Sequence, residues 1–151
     1  MAYKYDGKKA MYRKQSKKSS YWMSEEEKGY VMNFAYRYQE FKDKLEELGD
    51  GNRAISYDSQ PHAEANGSAL EDLAIRRSKI SSKVDLIEST CQEVDPDLYF
   101  WLLKGVTSRS ASYEYLRYQL RIPCGRNYYF ERKNRFYYLL LQKLDALNMD
   151  D

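Results

Sequence analysis

The sequence predicts an all-α protein: a long helical hairpin or coiled-coil stalk, followed by a helix-turn-helix module. Three observations carry this. Apolar residues recur at alternating spacings of 3 and 4 along two long stretches, which is the helical and not the strand period. The first stretch opens on a helix-start signature and closes on Gly49. The C-terminal third contains a short apolar-periodic run, a break at Ile122-Pro123-Cys124-Gly125, and a longer basic run.

Residues 1–23 read as a basic arm, disordered alone or ordered only against a partner. Lys8, Lys9, Arg13, Lys14, Lys17 and Lys18 show no apolar periodicity there. Ser24 followed by Glu27 is a capping box, with Glu25 and Glu26 adding negative charge where the helix dipole favours it. Val31, Phe34, Tyr38, Phe41, Leu45 and Leu48 then form one seam. A single helix of about 25 residues, about 37 Å long, is expected here, and it needs a partner along its whole length.

Residues 49–67 are rich in turn formers and read as a linker. A second helix is expected from about Ser68. Its seam is Leu70, Leu73, Arg77, Ile80, Val84, Ile87, Cys91 and Val94. Two matched seams can bury each other as an antiparallel pair, or pair between protomers. Arg77 is the one charged member, there either to select a register or to snorkel at the edge. Cys91 reads as a small core residue. The hairpin thus spans 24–94.

The helix-turn-helix module spans 95–147. Asp95-Pro96 suits a helix start, giving a short apolar helix to about Lys104. A second short helix runs from about Ser110 or Ser112 to Leu120, with Tyr113, Leu116 and Leu120 inward. The last helix runs from about Arg126 to Leu147, with Tyr129 or Phe130, Lys133, Phe136 or Tyr137, Leu140 and Leu144 inward. Residues 148–151 form an acidic tail.

Composition narrows the function classes. The 151 residues, 42% hydrophobic and 32% charged, fit one soluble domain or a helical domain with a module. The longest apolar runs, 98–103 and 136–141, are far shorter than the ~20 residues of a membrane span, and no secretory signal is expected. One histidine (His62) and two cysteines (Cys91 and Cys124) supply neither a metal site nor nucleophilic machinery. The expectation is therefore no enzyme, no metal, no cofactor and a reducing compartment.

Net charge of +2 conceals segregation. Residues 1–23 carry seven bases against Asp6, and residues 104–144 carry nine against Glu114 and Glu131; residues 24–103 are acidic. A basic end interleaved with aromatics favours phosphate binding over a merely solvated face. In a helix-turn-helix the second helix lies in the major groove. That assigns DNA contact to Arg126, Asn127, Tyr128, Arg132, Lys133 and Arg135, with Glu131 a further candidate. Arginine can read guanine and asparagine adenine. Arg109, beside Ser108 and Ser110, would hold phosphate. The arm's Lys8, Lys9, Arg13, Lys14, Lys17 and Lys18 would contact phosphate or a partner, with polymerase acids, a membrane surface and the DNA minor groove all compatible with its composition. The competing reading is an amphipathic helix with an ordinary charged outer face.

The stretch Ile55-Ser56-Tyr57-Asp58-Ser59-Gln60-Pro61, then Asn66-Gly67-Ser68 and 70–77, precedes a helix-turn-helix ending in Tyr128-Tyr129-Phe130-Glu131-Arg132-Lys133-Asn134-Arg135-Phe136-Tyr137-Tyr138. Over residues 50–145 this resembles the RinA/ArpU-type phage regulators of Gram-positive hosts, whose DNA-binding end is similar to region 4 of sigma-70-type factors. The resemblance implies a transcription activator of late or packaging genes in the host cytoplasm. It makes helix 126–144 the recognition helix, with Arg126, Asn127, Tyr128, Arg132 and Arg135 facing DNA. The first helix and the arm have no counterpart in that family.

The expected partners are double-stranded DNA, a second copy of the chain and host RNA polymerase, with no membrane. Two rivals stand beside this reading. One is a small terminase-like protein that recognises packaging sites. The other is an inhibitor of a host nuclease or polymerase, whose acidic middle imitates nucleic acid.

Overall fold

A computed structural model describes residues 20–49 and 63–147 of the chain. Its helices are α1 (Glu25–Tyr36), α2 (Tyr38–Gly49), α3 (Ala63–Val94), a 3-10 turn (Pro96–Leu98), α4 (Tyr99–Thr107), α5 (Tyr113–Tyr118) and α6 (Arg126–Leu147). Among the described residues there is no strand, so the all-α expectation holds. The arm lysines and Arg13, most of the 49–67 linker with His62, and the acidic tail lie outside the described residues.

The capping box forms as expected. The Ser24 amide donates to Glu27 Oε1 at 3.0 Å, and the Glu27 amide donates to Ser24 Oγ at 3.1 Å. The single 25-residue helix does not. At Arg37 the backbone leaves the helix (φ −81°, ψ 1°) and its amide turns to the Phe34 carbonyl. No proline or glycine stands at this break. Instead the Arg37 guanidinium lies 4.7 Å from the Phe41 ring and bonds Glu40, tying Arg37 to α2.

The two halves then find different partners, which is why one continuous seam was the wrong expectation. Toward α1, Lys28 Nζ donates to Asn134 Oδ1 of α6 at 3.2 Å and sits 5.7 Å from the Tyr137 ring. Tyr21 and Tyr138 have ring centroids 5.7 Å apart. The second half, α2, lies along α3 instead. The Tyr38 hydroxyl donates to Glu88, Lys83 Nζ lies over the Phe41 ring, and Arg77 reaches Gly49. Those pairings descend on one helix as they ascend on the other, so α2 and α3 run antiparallel.

The long helix α3 starts at Ala63, ahead of the expected Ser68. Only its C-terminal half is sealed: Val84, Ile87, Cys91 and Val94 are buried, whereas Leu70 and Arg77 of the same seam are exposed. Arg77 is thus an edge residue beside the C-terminal end of α2, where free carbonyls favour a cation. Burial in apolar surroundings pushes the Cys91 thiol up, in keeping with a core role.

Asp95 caps the restart of the chain, with Oδ1 accepting from the amides of Asp97 (3.1 Å) and Leu98 (3.2 Å). The helix that follows does not stop at Gly105 but continues to Thr107. Gly105 is there for clearance: a Cβ at this position would collide with the Tyr129 hydroxyl of α6. Leu102, Val106, Leu116, Tyr129, Phe136, Tyr137, Leu140 and Leu144 join Val31, Phe41 and Ile87 in one core. Residues on both sides of Asp95 therefore share a single interior.

Candidate nucleic-acid interface

The turn between α5 and α6 is held from three sides. Trp101 Nε1 of α4 donates to the Leu120 carbonyl at 2.7 Å. The Tyr113 hydroxyl of α5 donates to the Cys124 carbonyl at 2.7 Å. The Ile122 amide closes the end of α5 on the Leu116 carbonyl at 2.9 Å, and the Ile122 side chain is buried. Buried Tyr113 and Tyr129, 5.7 Å apart, lock α5 onto α6. A short helix, a fixed turn and a long helix are thus in place.

Tyr113, Glu114, Arg117, Tyr118 and Arg126 line an open groove at this end of the molecule. Tyr118 is 73% exposed, the most of any large hydrophobic residue described, and Arg117 stacks over its ring at 5.8 Å. Arg121, on the turn, and Asn127, next to Arg126 in α6, are exposed. Across residues 113–130 the charges are Arg117, Arg121 and Arg126 against Glu114 alone. Arg117, Tyr118 and Arg121 were not among the expected contacts, which lay on the last helix, at Arg109 and in the arm. Their signal was available in three arginines with Glu114 as the one acid across 113–130.

The predicted contacts divide into three groups. Asn127 stands exposed in the first turn of α6. Arg126 is half-exposed, but its guanidinium pairs with Glu114 and lies 5.4 Å from the Tyr113 ring. The expectation of an open Arg126 is corrected to an arginine already holding an acid, with side-chain exposures of 44% and 28% for the two partners. Such a pair contributes little to stability and exchanges readily for phosphate.

Tyr128 and Arg132 turn towards the protein. The Tyr128 hydroxyl donates to Asp95 Oδ2 at 2.9 Å, a bond that raises the phenol's pKa. Arg132 Nε lies 3.7 Å from the same carboxylate oxygen and 3.2 Å from Glu131, while its guanidinium covers the Tyr128 ring at 4.7 Å. Position 132 is one helical turn beyond 128, so both meet Asp95. Arg132 is thereby an anchor of α6, with the exposed Glu131 as its second acid, whereas Tyr128 bonds Asp95 through its hydroxyl and stays 45% exposed.

Lys133 is also corrected. It follows buried Tyr129 by four residues and precedes buried Phe136 by three, on the inner face of α6. Its amine sits 5.8 Å from the Tyr129 ring and 5.9 Å from that of Phe130. Burial and then the nearby Lys28 charge lower its pKa to about 8. Arg135 is half-buried, and Arg109 is exposed with its guanidinium 4.2 Å from the Tyr36 ring of α1. Beside it, Ser108 Oγ and Ser110 Oγ lie 3.1 Å apart.

Among the described residues no cluster of His, Cys, Asp and Glu could hold a metal ion. No helix among them is long and apolar enough to cross a membrane. No family model, curated protein or solved structure matches the chain. The likeness to the RinA/ArpU-type regulators therefore rests on the motifs quoted above.

Proposed function

We propose that this chain binds double-stranded DNA through α5, the following turn and the start of α6, and acts as a transcription activator of the phage late-gene type. One observation carries the DNA reading. A rigidly held short-helix–turn–long-helix unit presents Arg117, Tyr118, Arg121, Arg126 and Asn127 at one end, with Glu114 as the single acid across 113–130. The activator role, the bacterial cytoplasm and contact with polymerase rest on the family resemblance.

The mechanism divides the labour. Arg117 and Arg126 anchor phosphates, and Arg126 exchanges Glu114 for the duplex. Asn127 is the residue of α6 that reads a base edge, with adenine its bidentate match. Arg109 and Arg135 add further phosphate contacts. The arm's Lys8, Lys9, Arg13, Lys14, Lys17 and Lys18 add contacts that do not depend on sequence. A single module this small covers little DNA, so a two-fold dimer on a palindromic site is the working assembly.

The test is an anisotropy titration of the full chain against labelled random-sequence duplex at several salt concentrations, with selection from a randomised duplex pool. Binding should weaken steeply with salt, and selection should return a defined motif. Asn127→Ala should relax one position of that motif by about 1–3 kcal/mol of discrimination. Absence of binding at about 50 mM salt would remove the reading.

A further inference from the structure

Arg121 stands at φ 55°, the left-handed region where a Cβ crowds the following carbonyl. Glycine ordinarily fills such a position without strain. Arg121 is the one non-glycine residue with positive φ among those described. The turn imposes the conformation from both sides. Leu120 is held through its carbonyl by Trp101, and Ile122 through its amide by Leu116 and by its buried side chain. Whatever residue occupies 121 must accept this backbone. The arginine side chain does nothing for the turn, since it is exposed and makes no hydrogen bond or ion pair with the described residues.

Strain of this kind persists where the surrounding structure enforces it, and it concentrates at functional positions. Arg121 stands on the turn three residues past the end of α5, and adds a third cation to a stretch, 113–130, whose one acid is Glu114. In a helix-turn-helix the first helix crosses the DNA backbone while the second enters the groove. A long cation on the turn between them meets phosphodiester rather than base. We infer that Arg121 is a contact to the DNA phosphate backbone, kept in a strained turn for its charge and at the expense of stability. This assignment rests on the DNA-binding reading above.

The experiment compares the full-length wild type with Arg121→Gly and Arg121→Lys by thermal melting and by anisotropy titration with random-sequence duplex. Arg121→Gly relieves the strain, so its Tm should rise by about 2–4 °C. The same variant should bind duplex roughly three- to tenfold more weakly, with a salt slope shallower by about 1. Arg121→Lys keeps charge and strain; it should melt with the wild type and restore the slope. An Arg121→Gly variant that melts higher yet keeps the wild-type slope would overturn the assignment alone. One that melts lower would show that the arginine supports the turn, overturning the argument from strain. A wild type that binds no duplex at low salt removes the DNA reading itself, a failure distinct from either.

Discussion

The Tyr128 hydroxyl donates to Asp95 Oδ2 at 2.9 Å, joining the first turn of α6 to the junction between α3 and α4. The other oxygen of the same carboxylate caps the 3-10 turn, and Arg132 lies 3.7 Å from Oδ2. One buried acid thus restarts the chain after α3 and orients the helix that carries Asn127. Asp95→Ala should lose a cap and the Tyr128 bond and leave Arg132 with the exposed Glu131 alone, a loss of about 2–4 kcal/mol in urea unfolding. Asp95→Asn retains an acceptor for the cap and should lose less. A cost below about 0.5 kcal/mol for the alanine variant would mean that Asp95 does not organise this junction.

Gly105 and Tyr129 give a second test. The Tyr129 hydroxyl is buried without a hydrogen-bond partner among the described residues, in the space a side chain on Gly105 would fill. Gly105→Ala should destabilise by about 1–3 kcal/mol through overpacking. Tyr129→Phe removes the colliding oxygen and an unsatisfied polar group, so it should be neutral or stabilising. The double variant should recover most of the glycine variant's loss, a coupling that a double-mutant cycle reads directly. Additive effects would show that the hydroxyl is not what excludes the methyl.

The same two residues show what was legible in the sequence. Local signals carried far: Ser24 with Glu27, Asp95 before Pro96, and the 3-4 spacing of 84, 87, 91 and 94 each act as their chemistry dictates. Long-range partners did not show. Nothing in the regular seam from Val31 to Leu48 reveals that its halves pack on different helices, because periodicity specifies a face and not what covers it. Gly105 read as a helix end because the hydroxyl it accommodates comes from 24 residues later. At the candidate interface, charge singled out the C-terminal third as basic. Charge alone counted Lys133 as a DNA contact beside Asn127, although the apolar spacing of the same helix already put Lys133 on the inner side, where it lies.

Two lysines set the alkaline behaviour. Lys28 is buried, and burial lowers its pKa to about 8, as burial and Lys28 do for Lys133. In the unfolded chain both titrate near 10.5. Between about pH 8 and 10 the unfolded state therefore binds protons that the folded state has released, and stability rises with pH. Above about pH 10 the sign reverses. Burial raises the phenols of Tyr38, Tyr129 and Tyr137, so the folded state holds protons that the unfolded state has lost. Chemical denaturation across pH 7–11 should show a maximum between about 9 and 10. Lys133→Met should be more stable at pH 7 and reduce the rise, while leaving the salt slope of duplex binding unchanged because the side chain faces inward. A flat profile in the wild type would show that neither lysine is held near neutrality by the fold.

The Arg126–Glu114 pair sets a resting state for the interface. Both partners are partly exposed, at 44% and 28%, so the pair contributes at most about 1 kcal/mol to the fold. Its larger effect is on ligands, because Glu114 lines the groove and opposes any phosphate that enters. Binding to a duplex then requires Arg126 to leave one anion for another, and Glu114 is left facing the DNA backbone. Glu114→Gln keeps the shape and hydrogen-bonding capacity while deleting the charge. Its affinity for random-sequence duplex should rise about two- to fivefold at low salt, with a steeper salt dependence, and its preference for a selected motif over random sequence should fall. Melting should change by less than about 2 °C, which separates this effect from a general loss of structure. Affinity and salt slope both matching the wild type would mean that Glu114 does not restrain Arg126.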